Sequence, residues 1–151
     1  MSASFLILMI IFMSFQQHGE QGEPGIYIIN PNVRRVSCVN EMKMIVGKTK
    51  LCLSKKPIIR KDALSYATDI RYDPVYKEHY IELGLSSEAG QILHKTVGSL
   101  PETQFALALE GDVICIFSLR YPTLPRSIKI GTDVPLRDLT VIHNALNKVE
   151  F

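Results

Sequence analysis

Apolar positions recur at two periods along this chain, and the switches between them divide it into strands and helices. Period-two alternation marks Tyr80 to Leu85, and the run FALALEGDVICIFSL from Phe105 to Leu119 has two apolar arms around Glu110-Gly111-Asp112. A glycine at the centre of so short a connection predicts a tight hairpin turn with positive φ. Residues 33–39 (VRRVSCV) and 50–54 (KLCLS) predict a second hairpin with Gly47 in its turn, and strands are also expected at Ile70–Tyr72 and Ile128–Ile130. Spacings of three and four residues appear in three places. Asp62 precedes Ala63, Leu64, Tyr66 and Ala67, which predicts a short helix capped by Asp62. Ser86 precedes Ala89, Ile92, Leu93 and Val97, with Glu88 in the first turn and Gly98 placed to stop the helix. Pro135 opens a last helix with Leu136, Leu139, Ile142, His143 and Leu146 on one side. Hairpins join most of the strands, so the expected fold class is α+β, a mostly antiparallel sheet with helices packed on one face.

At 151 residues the chain suits a single domain. Residues 5–15 (FLILMIIFMSF) match the length of a signal-peptide core and fall short of the roughly 20 residues that span a bilayer. The expected organisation is an export signal or N-terminal anchor over residues 1–19, a Gly/Pro-bearing linker over 20–32 and one domain over 33–151. Contact with a membrane is expected only through an uncleaved N-terminal segment. Both alternatives place the domain outside the cytoplasm, in the periplasm, where disulfides persist. Cys38 and Cys52 lie on strands of the first expected hairpin and are a candidate disulfide, whereas Cys115 sits in an apolar run as a small buried hydrophobe.

The net charge of +2 calls for no nucleic-acid partner. Its distribution is uneven: Arg34, Arg35, Lys43, Lys48, Lys50, Lys55, Lys56, Arg60 and Lys61 face only Glu41, a pattern that fits a solvated face and also an attraction to acidic surfaces. No catalytic constellation is apparent. His18, His79, His94 and His143 form no helical ligand pair, the cysteines make no CxxC, and Ser86-Ser87 lacks a GxSxG frame, so neither a metal, a cofactor nor a nucleophile is expected. Asp69, Asp73, Glu78 and Glu82 gather in one stretch. On a strand, Glu78, Tyr80 and Glu82 share one face, the outer face of a half-buried sheet. The chemistry that stands out is aromatic and cationic. Tyr66, Arg71, Tyr72, Tyr76, Tyr80, Arg120 and Tyr121 fall at loops and strand edges, and these residue types dominate protein–protein hot spots. They are the candidate partner-binding residues.

YIELGLSSEAGQILHKTVG, followed by FALALEGDVICIFSL, a proline-bearing loop, SIKIG and a closing amphipathic helix, resembles the head of the first periplasmic domain of the SecD and SecDF translocase subunits. Glu88 to Gly90, Glu110-Gly111, Pro122 or Pro125, and Ile128 to Gly131 occupy the family's positions, as do Asp62 and Ala67 upstream, over roughly residues 50–147. The chain departs from that family in having no further membrane spans after residue 16, and hence no proton-conducting core. The resemblance implies a free-standing, exported, non-catalytic head that holds another protein. Two functions fit: an inhibitor or immunity-type protein that neutralises a toxin or enzyme acting on the cell envelope, or an accessory of export that binds unfolded polypeptide or the translocase.

Overall fold

The structure is a computed structural model that describes residues 22–30, 38–119 and 124–151. The fold is α+β, with ten strands, two helices and mostly antiparallel pairing among the described residues. The strands divide into two sheets, where the sequence pattern suggests one.

The larger sheet contains β1 (Gly25–Ile28), β2 (Glu41–Met44), β3 (Lys50–Cys52), β4 (Ile59–Arg60), β8 (Gln104–Leu109) and β9 (Asp112–Ser118), in the order β3-β2-β9-β8-β1-β4. It curls until its two sides meet. Ile29 bridges Leu53, and the flanking amides of Asn30 and Ser54 donate to the carbonyls of Cys52 and Ile28 at 2.9 and 2.8 Å. β1, β8, β9, β2 and β3 therefore form a closed ring, a small five-stranded barrel, with only the β2–β9 contact parallel. The interior of so small a barrel is filled by side chains. Tyr27, Ile29, Met42, Leu53, Ala106, Ala108 and Val113 fill it, and the two alanines of β8 leave room for the larger residues opposite. Gly22 lies against Met42, and the Tyr27 hydroxyl donates to the carbonyl of Glu23, so the residues before β1 cover one mouth. A disulfide joins Cys52 to Cys38, just ahead of β2, with the Cα atoms 5.7 Å apart.

The second sheet is built on β7 (Glu78–Leu85). Its C-terminal half pairs with β5 (Leu64–Ala67) and β10 (Ser127–Ile130), and its N-terminal half pairs with β6 (Arg71–Asp73) in a hairpin. Ile81, Leu83, Leu85, Leu64, Ile128 and Ile130 face inward, where they join the outer wall of the barrel (Ile26, Phe105, Leu107, Leu109, Phe117) in one core. Both helices contribute to it: α1 (Ser87–Ser99) through Ala89, Leu93 and Val97, and α2 (Leu136–Leu146) through Leu139, Ile142 and Leu146. The Ser86 hydroxyl accepts the Ala89 amide at 3.1 Å, a cap of about 1 kcal/mol. β8 and β9 thus have apolar neighbours on both faces, which is why FALAL and VICIF read as continuous apolar runs instead of alternating ones.

Several expectations need correction. The presumed linker contains β1, a central strand whose residues Ile26 and Tyr27 are buried. The helix expected from Asp62 is a single 3-10 turn, Lys61–Ala63, followed directly by β5. Leu64 pairs with Leu85 and Tyr66 with Gly84, so sheet pairing overrides the local helical spacing. The first hairpin begins at Glu41, not within 33–39; residues 33–37 lie outside the described residues, and its turn uses positive φ at both Gly47 and Lys48. Gly98 lies inside α1, not beyond its end. The turn between β8 and β9 is the two-residue Glu110-Gly111, both at positive φ, the geometry that matches strand twist.

Candidate functional site

The outer face of the second sheet is polar, and strand register decides what meets on it. Arg71 lies opposite Tyr80, Asp73 opposite Glu78, Lys129 opposite Glu82, and Tyr66 opposite Gly84. Tyr66, Arg71 and Tyr80, three of the expected partner-binding residues, therefore share one surface with Glu78 and Glu82. Tyr66 lies across Gly84, where a Cβ would stand 2.3 Å from the ring, so the glycine is what admits the tyrosine. The Tyr66 hydroxyl then donates to Glu82 Oε1 at 3.1 Å, while Arg71 donates to Oε2 at 2.9 Å. The Ser127 hydroxyl, then Tyr66, Arg71 and Lys129, hold the Glu82 carboxyl below its ordinary range against partial desolvation. Thr68 exchanges two bonds with Glu82, its amide donating to the Glu82 carbonyl and its hydroxyl accepting the Glu82 amide, each at 3.0 Å.

Lys129 links the other half of this face. Its ammonium donates to Asp73 Oδ2 at 2.7 Å and lies 4.4 Å from the centroid of the Tyr80 ring, so the pair crosses β7 above that tyrosine. The hydrogen bond from Lys129 lowers the pKa of Asp73, aided by the amides of Tyr76 and Val75, and the same bond raises that of Lys129.

Tyr72 and Tyr76 lie elsewhere. Tyr72 faces away from this surface, tilted against His79 with ring centroids 5.0 Å apart, and about half of it is solvent-exposed. Tyr76 sits with Val75 in the β6–β7 turn, and they are 72% and 78% exposed, the most exposed pair of adjacent large apolar residues in the described structure. Arg120 and Tyr121 lie outside the described residues. Val75 and Lys129 belong to this region and were missed in the sequence; Val75 follows a turn-forming Asp-Pro, but the role of Lys129 depends on a partner 56 residues away.

The remaining polar candidates are engaged structurally. Ser86 is the cap of α1, and His143 Nε2 lies 3.2 Å from Asp69 Oδ1, tying α2 to the loop after β5. Cys115 is buried, which pushes its thiol up to about 12 and leaves it inert as a nucleophile. An open depression of about 510 Å³ lies at the far end of the molecule, where Pro24, Lys61, Glu110, Lys148 and Glu150 meet, and its lining carries charges of both signs. No described helix is long and apolar enough to cross a membrane.

No protein-family model matches the chain, and no curated protein matches it.

Proposed function

We propose that this is an exported, non-catalytic protein-binding domain that binds and neutralises a protein acting on the cell envelope, in the manner of an inhibitor or immunity protein. The observation that carries the reading is the second sheet: a polar face bearing Tyr66, Arg71 and Tyr80, continued by a hairpin that exposes Tyr72, Val75 and Tyr76. Tyrosine and arginine on a rigid support provide large contact area at a small ordering cost, the composition of interface hot spots. The Cys38–Cys52 disulfide and the apolar run over residues 5–15 support export, and with it a periplasmic location. The likeness to SecD heads points to the same work of holding another protein.

The alternative, an export accessory that binds extended polypeptide by strand addition, would need a long free edge. The flanking strands are short: β4 has two residues, β6 three and β10 four, and a bulge interrupts β5. A folded partner fits this surface better. Affinity capture of the tagged protein from the envelope fraction of its own cells, with mass spectrometry of what is retained, tests the choice. One stoichiometric envelope enzyme or toxin is the expected result. A diffuse set of unfolded exported chains, or translocase subunits, would overturn it in favour of export.

A further inference from the structure

The β6–β7 turn is more ordered than its exposure suggests. Pro74 fixes its own φ at the turn's start. Asp73 Oδ1 accepts the amides of both Val75 and Tyr76, at 2.9 and 3.3 Å, and Lys77 at a φ of 55° returns the chain into β7. The other carboxylate oxygen of Asp73 is held by Lys129, which belongs to β10 on the opposite side of β7. An isolated two-stranded hairpin is marginal in water. Here a third strand reaches across to the residue that shapes the turn.

We propose that the Val75–Tyr76 apex is a preformed plug that enters an apolar cleft on a folded partner, and that the Lys129–Asp73 ion pair across Tyr80 is the strut that keeps the plug formed. The proposal rests on the reading above that this end of the molecule binds protein, and it specifies how. Val75 and Tyr76 project from a convex turn, and both of their amides are already bonded inside it. Their burial in a cleft would therefore strand no backbone donor, and little ordering entropy would be lost on binding. Lys77 stands exposed beside the apex and has no ion-pair partner among the described residues, so a cleft with an acidic rim complements it. The apex is also well placed to reach a large partner. Leu85, at the other end of β7, pairs with Leu64 next to the Lys61 turn that lines the depression with Gly22. The seven steps of β7 thus carry the apex roughly 23 Å from the end where the described chain begins.

The strut is tested without any partner. In Lys129→Met, cleavage by trypsin after Lys77 should quicken at least about tenfold, and the Val75 and Tyr76 amides should exchange faster, while the barrel amides of Ala106 and Ala108 keep their protection. Unchanged cleavage and exchange at the turn would overturn the strut. For the plug, columns carrying the wild type, Val75→Asp, Tyr76→Ala and a distant control, Val141→Ala, are loaded with one envelope extract, each variant first shown to be folded by circular dichroism. The two apex variants should retain about thirtyfold less of the protein held by the wild type, on the hot-spot scale, and the control should retain it fully. Equal retention by all four would overturn the plug and leave the protein-binding reading standing. No protein retained by the wild type would remove both readings. Apex-dependent sedimentation with phosphatidylglycerol vesicles, in place of protein capture, would overturn the plug in favour of a membrane contact.

Discussion

The barrel and the second sheet use the same strands-and-hairpins grammar to opposite ends. In the barrel, pairing runs round until β3 meets β1, the interior is apolar, and the disulfide ties the segment ahead of β2 to β3. Closure leaves the ring without a free edge, so little backbone is offered to another molecule. In the second sheet one face lies in the core and the other carries Tyr66, Arg71, Asp73, Tyr80, Glu82 and Lys129, linked by ion pairs and hydrogen bonds. Closure supplies a rigid scaffold; the half-open sheet supplies a surface. On the function proposed above, recognition falls to the part that remains open, because a side chain already packed inside a barrel has nothing left to offer a partner.

The largest effect is expected where the two regions share a wall. Phe105 of β8 is fully buried and packs against Phe117 with ring centroids 5.5 Å apart. Phe105→Ala should cost about 3–5 kcal/mol, measured by chemical denaturation, and should weaken barrel and sheet together. Separate unfolding of the two regions would show that they do not share one core. Next, Cys38→Ser with Cys52→Ser removes a link between residues 14 apart, with an expected loss of about 3 kcal/mol in the chain-entropy account. Hydrogen exchange should then quicken around β2 and β3 and change little at the β6–β7 hairpin; an equal effect on both would contradict the division.

Individual strands and turns were legible in the sequence, but the division into a barrel and a second sheet was not. The alternation at Tyr80 to Leu85 shows that Glu82 and Leu83 face opposite ways, and the core confirms it, with Leu83 buried and Glu82 on the outer face. The β8–β9 hairpin was equally plain, because Gly111 sits where the turn requires positive φ. The barrel was not legible. Its ring is closed by Ile29 meeting Leu53, and β1 is built on a four-residue apolar run, Ile26 to Ile29, between Gly/Pro-bearing segments, which reads as a linker when its distant partners β8 and β4 are unknown. β5 was missed for a similar reason, since only its pairing with β7 makes LSYA a strand. At the candidate site, residue type pointed to the tyrosines and Arg71, and the pleat placed Glu78, Tyr80 and Glu82 together. The Lys129–Asp73 pair spans 56 residues and no local pattern announces it.

Smaller effects sharpen the picture on the open side. Gly84→Ala places a methyl group where the Tyr66 ring lies, and the ring, being at the end of a movable side chain, swings out. The expected cost is about 1 kcal/mol, with loss of the Tyr66–Glu82 bond visible as a changed tyrosine environment by NMR. The smallest effect is the pH dependence of the same face. Asp73 and Glu82 both have carboxyl pKa values depressed in the folded state, the first chiefly by Lys129 and the second chiefly by Ser127. The unfolded chain therefore binds more protons in the interval between folded and unfolded values. Their stabilisation is complete above the ordinary carboxylate range, about pH 4, and is lost as pH falls through the depressed folded values. Solvent screens both groups, so the loss should be slight in global stability and should register first as faster amide exchange at Val75 and Tyr76. Exchange at the turn that stays insensitive to acid would contradict it.

The most direct test of the central claim, that the open sheet and not the barrel meets the partner, is a hydrogen-exchange footprint of the protein bound to whatever its own envelope extract supplies at stoichiometric amounts. The account predicts added protection across residues 71–82 and none across β2 and β3. Protection confined to the barrel strands, with the β6–β7 hairpin unchanged, would contradict it.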